Sequence, residues 1–309
     1  MEQGRRTDLL ASQQPPAPFI FGVPRSGTSL LRLMCDSHPD LAIPPETRFI
    51  PRLIRMCRGR RTSSQEMMDV MTSCRRWADF GIDNDELHAR LDALSRPRPG
   101  AVAREFYRAY AARFGKQRWG DKTPRYRRFM PTIASALPEA RFIHIIRDGR
   151  DVARSLQGFY LNQDRDPGSL AHWAGGWARS IQRTRAKSQK VDHYVEIFYE
   201  DLVRDPRAIL GQLCEMLALP FDERMLAPHE QAPERLAEMA GGLPPSARRP
   251  GRSGEQRLRP HQMLKQPVTE ERSGAWRNAM TAAEQEEFEA VAGETLAELG
   301  YELGAAARR

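Results

Sequence analysis

The stretch Pro18-Phe-Ile-Phe-Gly-Val-Pro-Arg-Ser-Gly-Thr-Ser29 constrains this chain more than any other. Its apolar run ends at Gly22 and Pro24, as a strand buried on both faces does. Leu30, Leu31, Met34 and Cys35 then recur at helical spacing until His38-Pro39. A strand, a glycine turn and a helix in immediate succession aim backbone N–H groups and the helix N-terminus at one point, the geometry of an anion cradle. The residue after the second glycine, a lysine in a Walker A loop, is Thr28. Nucleoside triphosphatases use that lysine on the phosphates, so ATP or GTP hydrolysis is disfavoured and a kinase is the lesser alternative. Arg25 puts the positive charge inside the turn instead.

A similar unit follows. Ala140-Arg-Phe-Ile-His-Ile-Ile146 reads as a second buried strand, followed by Arg147-Asp-Gly-Arg-Asp and a helix through Tyr160. Tyr194–Tyr199 predicts a third strand, and Pro206–Leu217 a helix with proline near its start. Strands alternating with helices predict an α/β fold with a P-loop-like central parallel sheet flanked by helices, because parallel crossovers need them. Residues 46–115 predict a helical insertion or cap broken at 58–64 and 95–100, and residues 241–266 a long basic loop. Residues 1–17 read as a disordered leader and 18–303 as one domain rather than two.

Composition narrows the function. No window approaches the roughly 18 apolar residues of a membrane span, so no membrane partner is expected. Arg5-Arg6 lacks the apolar segment of an export signal. Cys35, Cys57, Cys74 and Cys214 form no C-x-x-C pair, which predicts buried free thiols, a reducing cytoplasmic setting and no metal. The formal charge is +8, but only five of the 48 basic residues are lysine. No aromatic-and-basic repeat, zinc spacing or recognition helix accompanies the charge, which argues against a nucleic-acid partner. A group of arginines facing one small polyanion is the sharper reading. Arg147 at a strand end and Ser155 two helical turns on make a second anion site facing the first, an arrangement suited to a nucleoside with phosphates at both ends.

Pro24-Arg-Ser-Gly-Thr-Ser29 resembles the 5′-phosphosulfate loop of the sulfotransferases, and Ile146-Arg-Asp-Gly-Arg-Asp-Val-Ala-Arg-Ser155 their 3′-phosphate segment. Gly274-Ala-Trp-Arg-Asn278 is similar to the late segment that closes over the nucleotide in the cytosolic branch, and Phe198-Tyr-Glu-Asp-Leu202 to the strand end whose tyrosine lies beside the adenine. The resemblance implies 3′-phosphoadenosine 5′-phosphosulfate (PAPS) as sulfuryl donor, adenosine 3′,5′-bisphosphate (PAP) as product, and no metal. It assigns Arg25, Ser26, Gly27, Thr28, Ser29, Arg147, Ser155, Tyr199, Trp276 and Arg277 to the nucleotide.

The run from Gly22 to Met56, with His38-Pro-Asp40 and Glu46-Thr-Arg-Phe-Ile-Pro-Arg52, is most similar to the tyrosylprotein sulfotransferases. That branch implies Glu46 as general base toward the acceptor hydroxyl, with Arg48 and Arg52 favouring acidic groups near it. The structural alternative is that Glu46 caps a helix starting near Thr47. Asp121-Lys122-Thr-Pro124 resembles the segment that brings a lysine to the bridging oxygen, so Lys122 and Arg25 would stabilise charge on the leaving phosphate. His144, inside an apolar strand, reads as a core histidine, His38 as structural, and Trp173 with Trp177 as packing. The chain departs from animal members of the branch, which are Golgi membrane proteins with disulfides. Their late serine has no clear counterpart in Leu258-Arg-Pro-His261. The acceptor stays open between peptide tyrosine, a phenol, and a sugar, lipid or natural-product hydroxyl, and a homodimer is left open.

Overall fold

The computed structural model describes residues 14–163, 165–245 and 250–304. Four strands form the main sheet: β1 (Ala17–Gly22), β4 (Asp121–Lys122), β5 (Ala140–Ile146) and β6 (Tyr194–Phe198). Their order is β4-β1-β5-β6, every neighbouring pair parallel. A separate parallel pair joins β2 (Leu41–Ala42) to β3 (Arg118–Trp119). This is the expected α/β architecture, with a short edge strand at Asp121-Lys122 that no apolar run announces.

The period of two sorts the strand side chains onto opposite faces. Ile20, Ile143, Ile145 and Ile197 pack with Leu31, Met34 and Cys35 of the Thr28–Asp36 helix and with Leu210, Leu213 and Cys214 of the Pro206–Leu217 helix. Phe19, Phe21 and Phe142 pack on the other side with Phe106, Tyr107 and Ile133 of the cap and its neighbours. Both faces are therefore apolar, as helix-covered parallel strands require. The cap comprises helices Ile50–Met56, Ser64–Thr72, Asn84–Asp92 and Pro99–Ala112, and Pro99 at the first turn explains why the predicted break ends there.

Three details revise the sequence reading. Residues 241–266 are not one irregular loop: Leu243 bridges Arg252, a capping box between Ser253 and Gln256 starts the Gly254–Leu258 helix, and a 3₁₀ segment Arg259–Lys265 follows. Arg257, paired with buried Asp79 of the cap, pins this segment down. Tyr199 opens a helix, Tyr199–Arg204, rather than ending the strand. Ala17 already pairs in β1, so the leader assignment overreached; residues 1–13 of it lie outside the described residues. The four thiols are free as expected, but Cys57 and Cys74 are only half-buried. Among the described residues no helix is long and apolar enough to cross a membrane, and no group of His, Cys, Asp or Glu could hold a metal ion.

Candidate active site

The C-terminal ends of β1 and β5 open into one cleft, because the strands are adjacent and parallel and a helix starts after each. After Gly22 the backbone turns through Arg25 at φ 76° and Gly27 at φ 93° before the Thr28–Asp36 helix. A Cβ on Gly27 would lie 2.5 Å from Cδ2 of Tyr199, so the turn needs glycine for its conformation and for the approach of that ring. Ser26 is fully buried, yet its Oγ finds no hydrogen-bond partner among the described residues. Arg147 Nε is likewise buried and unpartnered. Two buried donors left without a partner in and beside the turn mark this junction as a polar site.

The second segment divides its labour. Arg147 alone of Arg147-Asp-Gly-Arg-Asp151 lines the cleft, its guanidinium 4.5 Å from the centre of the Tyr199 ring and donating to the carbonyls of Arg25, at 3.3 Å, and Arg272. Asp148 caps the Gly149–Leu161 helix, Gly149 lets Trp177 pack close, and buried Arg150 pairs with Asp148 and with Glu289 of the Ala282–Glu298 helix. Asp151 accepts from the backbone N–H groups of Gly274 and Trp276. Arg25 Nε donates to Ser155 Oγ at 2.9 Å, so the turn after β1 and the helix after β5 meet. Burial, then the charges of Arg272 and Arg147, lower the pKa of Arg25, because three cations crowd one cleft.

Glu46 and Lys122 come together, Oε1 to Nζ at 3.8 Å. Burial alone would raise the Glu46 pKa, but Lys122, Arg48 and Arg76 together hold it well below the usual carboxylate range. Burial pulls Lys122 down to about 8, against the opposing pull of Glu46. Glu46 is no helix cap, since the nearest helix begins at Ile50 behind Phe49. Thr47 and Asp121, the neighbours of the pair, fix its spacing: Thr47 Oγ1 donates to Asp121 Oδ2 at 2.7 Å, Tyr107 OH donates to the same oxygen at 2.8 Å, and Tyr126 OH lies 2.8 Å from Thr47 Oγ1. Burial raises Asp121 to about 6. Only the fold reveals this network, because Thr47, Tyr107, Asp121 and Tyr126 come from four separate segments.

The remaining predicted residues fall in different places. Thr28 and Ser29 line the cleft with Gly27 and Tyr199. Arg48, at φ 61°, turns onto Glu46, its Nε 2.7 Å from Oε2, whereas Arg52 is exposed and donates to Ser73. Trp276 is buried under Arg150 behind the cradle, and Arg277 points to Glu302 at the surface. Arg272, five residues earlier, enters the cleft, as do His261 and the apolar Leu264 and Val268. No sequence signal distinguished Arg272 among so many arginines. His144 is buried and bonded to Tyr194 OH, His38 holds the Pro220 carbonyl, and Trp177 Nε1 donates to the Arg147 carbonyl, all structural roles.

Residues 16–223 match the sequence profile described as the sulfotransferase family. Protein-tyrosine sulfotransferase 1 of Danio rerio is 28% identical over 310 residues, covering 97% of this chain and 76% of that protein. Protein-tyrosine sulfotransferase A of Caenorhabditis elegans is 28% identical over 240 residues, and there the alignment takes in 73% of this chain but only 56% of the relative. Among solved structures, the sulfotransferase domain from the Synechococcus PCC 7002 olefin synthase superposes with a TM-score of 0.59 at 24% identity, covering 94% of this chain and 96% of its own. Mouse sulfotransferase SULT7A1, solved with PAP, superposes at 0.50 and 14% identity over 97% and 90% of the two chains.

Proposed function

The chain belongs to the sulfotransferase family, and on that footing we propose that it transfers the sulfuryl group of PAPS to a phenolic hydroxyl, peptide tyrosine first among the candidates. One observation carries the donor: the cradle after β1 and the arginine after β5 are joined through Arg25, Arg147 and Ser155 into a single cationic cleft. Such a clamp suits a ligand with an anion at each end. The 5′ end would lie on the backbone of Ser26, Gly27 and Thr28, with Ser26 Oγ free to donate. Arg147 and Ser155 would take the 3′-phosphate, and Tyr199, stacked on Arg147, would border the adenine. The donor supplies an activated sulfur and a stable leaving phosphate.

The chain's own task is then to hold charge and move one proton. Arg25 and Lys122 would stabilise the negative charge that grows on the leaving group. Glu46 would take the proton from the acceptor hydroxyl as oxygen attacks sulfur. A carboxylate held by Lys122 and Arg48 is a weak base until an anion draws Lys122 away, which would couple its basicity to donor binding. The tyrosine preference rests on the tyrosine-sulfotransferase relatives and on the Glu46-Thr-Arg48 segment.

The deciding experiment is a thermal melt with PAP. A ligand that binds only the native state raises the midpoint by mass action, so PAP at about 100 times its Kd adds about 2.7 kcal/mol. Arg147→Ala is expected to lose most of that shift. A wild-type midpoint indifferent to PAP would refute the donor assignment.

A further inference from the structure

The 3₁₀ segment Arg259–Lys265 carries His261 into the wall of the donor cleft, beside Arg25, Gly27 and Thr28. The other strong donors of this wall are partly committed: Arg25 to Ser155, and Arg147 to the carbonyls of Arg25 and Arg272. Among the described residues no hydrogen bond engages the His261 ring. It shares this wall with Arg147 and Arg272 as well as with Arg25. The charges of Lys122, Arg25 and Glu46 all act on the ring. His261 therefore lines the turn side of the cleft, within electrostatic reach of the Lys122 and Glu46 pair.

Burial and then the charges of Lys122 and Arg25 lower its pKa to about 3, so the ring is neutral at ordinary pH. A neutral imidazole carries one N–H donor and one free lone pair. Beside two cations it offers a hydrogen bond to an anion without adding a third charge that they would repel. The serine that the resemblance leads one to expect late in the chain is missing here, and His261 occupies the segment where it was sought.

We propose that His261 is a sulfuryl-binding residue, donating its ring N–H to a non-bridging oxygen of the sulfuryl group and so distinguishing the loaded donor from the spent nucleotide. The proposal rests on the PAPS reading above. PAP lacks the sulfuryl group, which gives a test that needs neither turnover nor a known acceptor. The full chain, as wild type, His261→Ala and His261→Gln, is titrated calorimetrically with PAPS and with PAP. One hydrogen bond to an anionic oxygen corresponds to roughly tenfold in affinity. His261→Ala should bind PAPS about tenfold more weakly and PAP within about twofold of wild type, and His261→Gln, which keeps an N–H donor, should recover most of the difference. Equal losses for both ligands would make His261 a packing residue of the cleft wall, and unchanged affinities would leave it no role; either overturns the inference while leaving the donor assignment intact. A wild type that binds neither ligand overturns both.

Discussion

Replacing Glu46 by glutamine should do more than remove a base, because Glu46 also keeps Lys122 charged. The two lie 3.8 Å apart in a buried setting, and Lys122 reaches a pKa of about 8 only with Glu46 opposing the cost of burial. At that distance and an effective dielectric constant of about 20, their attraction is roughly 4 kcal/mol, equivalent to about three pKa units. Arg48 on the other carboxylate oxygen and water entering the cleft reduce this, so a fall of roughly one to three units is expected. In Glu46→Gln the midpoint of Lys122 would then move from about 8 to roughly 5–7. If charged Lys122 grips the sulfuryl end, the wild type should hold PAPS with constant affinity up to about pH 8 and weaken about tenfold per unit above it. The variant should start weakening near neutrality or below. It should match wild type at about pH 5 and fall behind it through pH 7–8. Transfer to a tyrosine peptide or simple phenol should drop by about 10²–10⁴ even at low pH, the usual contribution of a general base. The assay is calorimetric titration with PAPS between pH 5 and 9 for wild type, Glu46→Gln and Lys122→Ala, the last expected to be flat. Superimposable wild-type and Glu46→Gln profiles would refute the electrostatic link, and undiminished transfer would remove Glu46 as base.

Two further outcomes follow from the geometry. Gly27→Ala combines a left-handed φ of 93° with a Cβ 2.5 Å from the Tyr199 ring, together costing about 2–4 kcal/mol, and PAP binding should be lost with it. The melt should fall by about 5–10 °C, and Tyr199→Ala in the same chain should restore part of it; full stability in Gly27→Ala alone would contradict the close approach. Asp121, raised by burial to about 6, should titrate there by carbon-detected NMR. Because its folded pKa lies above its unfolded value near 4, its stabilising contribution is complete below about pH 4 and lost as pH rises through about 6, so urea stability of wild type minus Asp121→Asn should decline over that window. A difference independent of pH would mean that Asp121 is not the group titrating.

The sheet was legible because buried parallel strands announce themselves locally: Pro18–Gly22 and Ala140–Ile146 are apolar runs closed by turn residues, and each precedes a recognisable helix. The two-residue β4 was not, since Asp121-Lys122 carries two charges and pairs only because Gly120 lets the chain approach Pro18 of β1 closely. The same distinction runs through the site. Gly27, Arg25 and Arg147 each stand in a motif beside a strand end, so a local reading could bring them to one cleft. The spacing of Glu46 and Lys122 instead depends on the Thr47 and Tyr107 hydroxyls meeting on the Asp121 carboxylate, with Tyr126 OH on Thr47 Oγ1, and no short stretch of sequence encodes that convergence. Arg277 illustrates the opposite error: it sits at the familiar position after a tryptophan, but the chain in front of it is held by Asp151 through the N–H groups of Gly274 and Trp276. With those two anchors fixed, Arg277 is carried out to Glu302 and Arg272 is the cation delivered to the cleft. On the proposed donor reading, Asp151 would thereby decide which late arginine the nucleotide meets without touching it, which would make the acidic residue of Arg147-Asp-Gly-Arg-Asp151 as much a part of the donor site as the basic one.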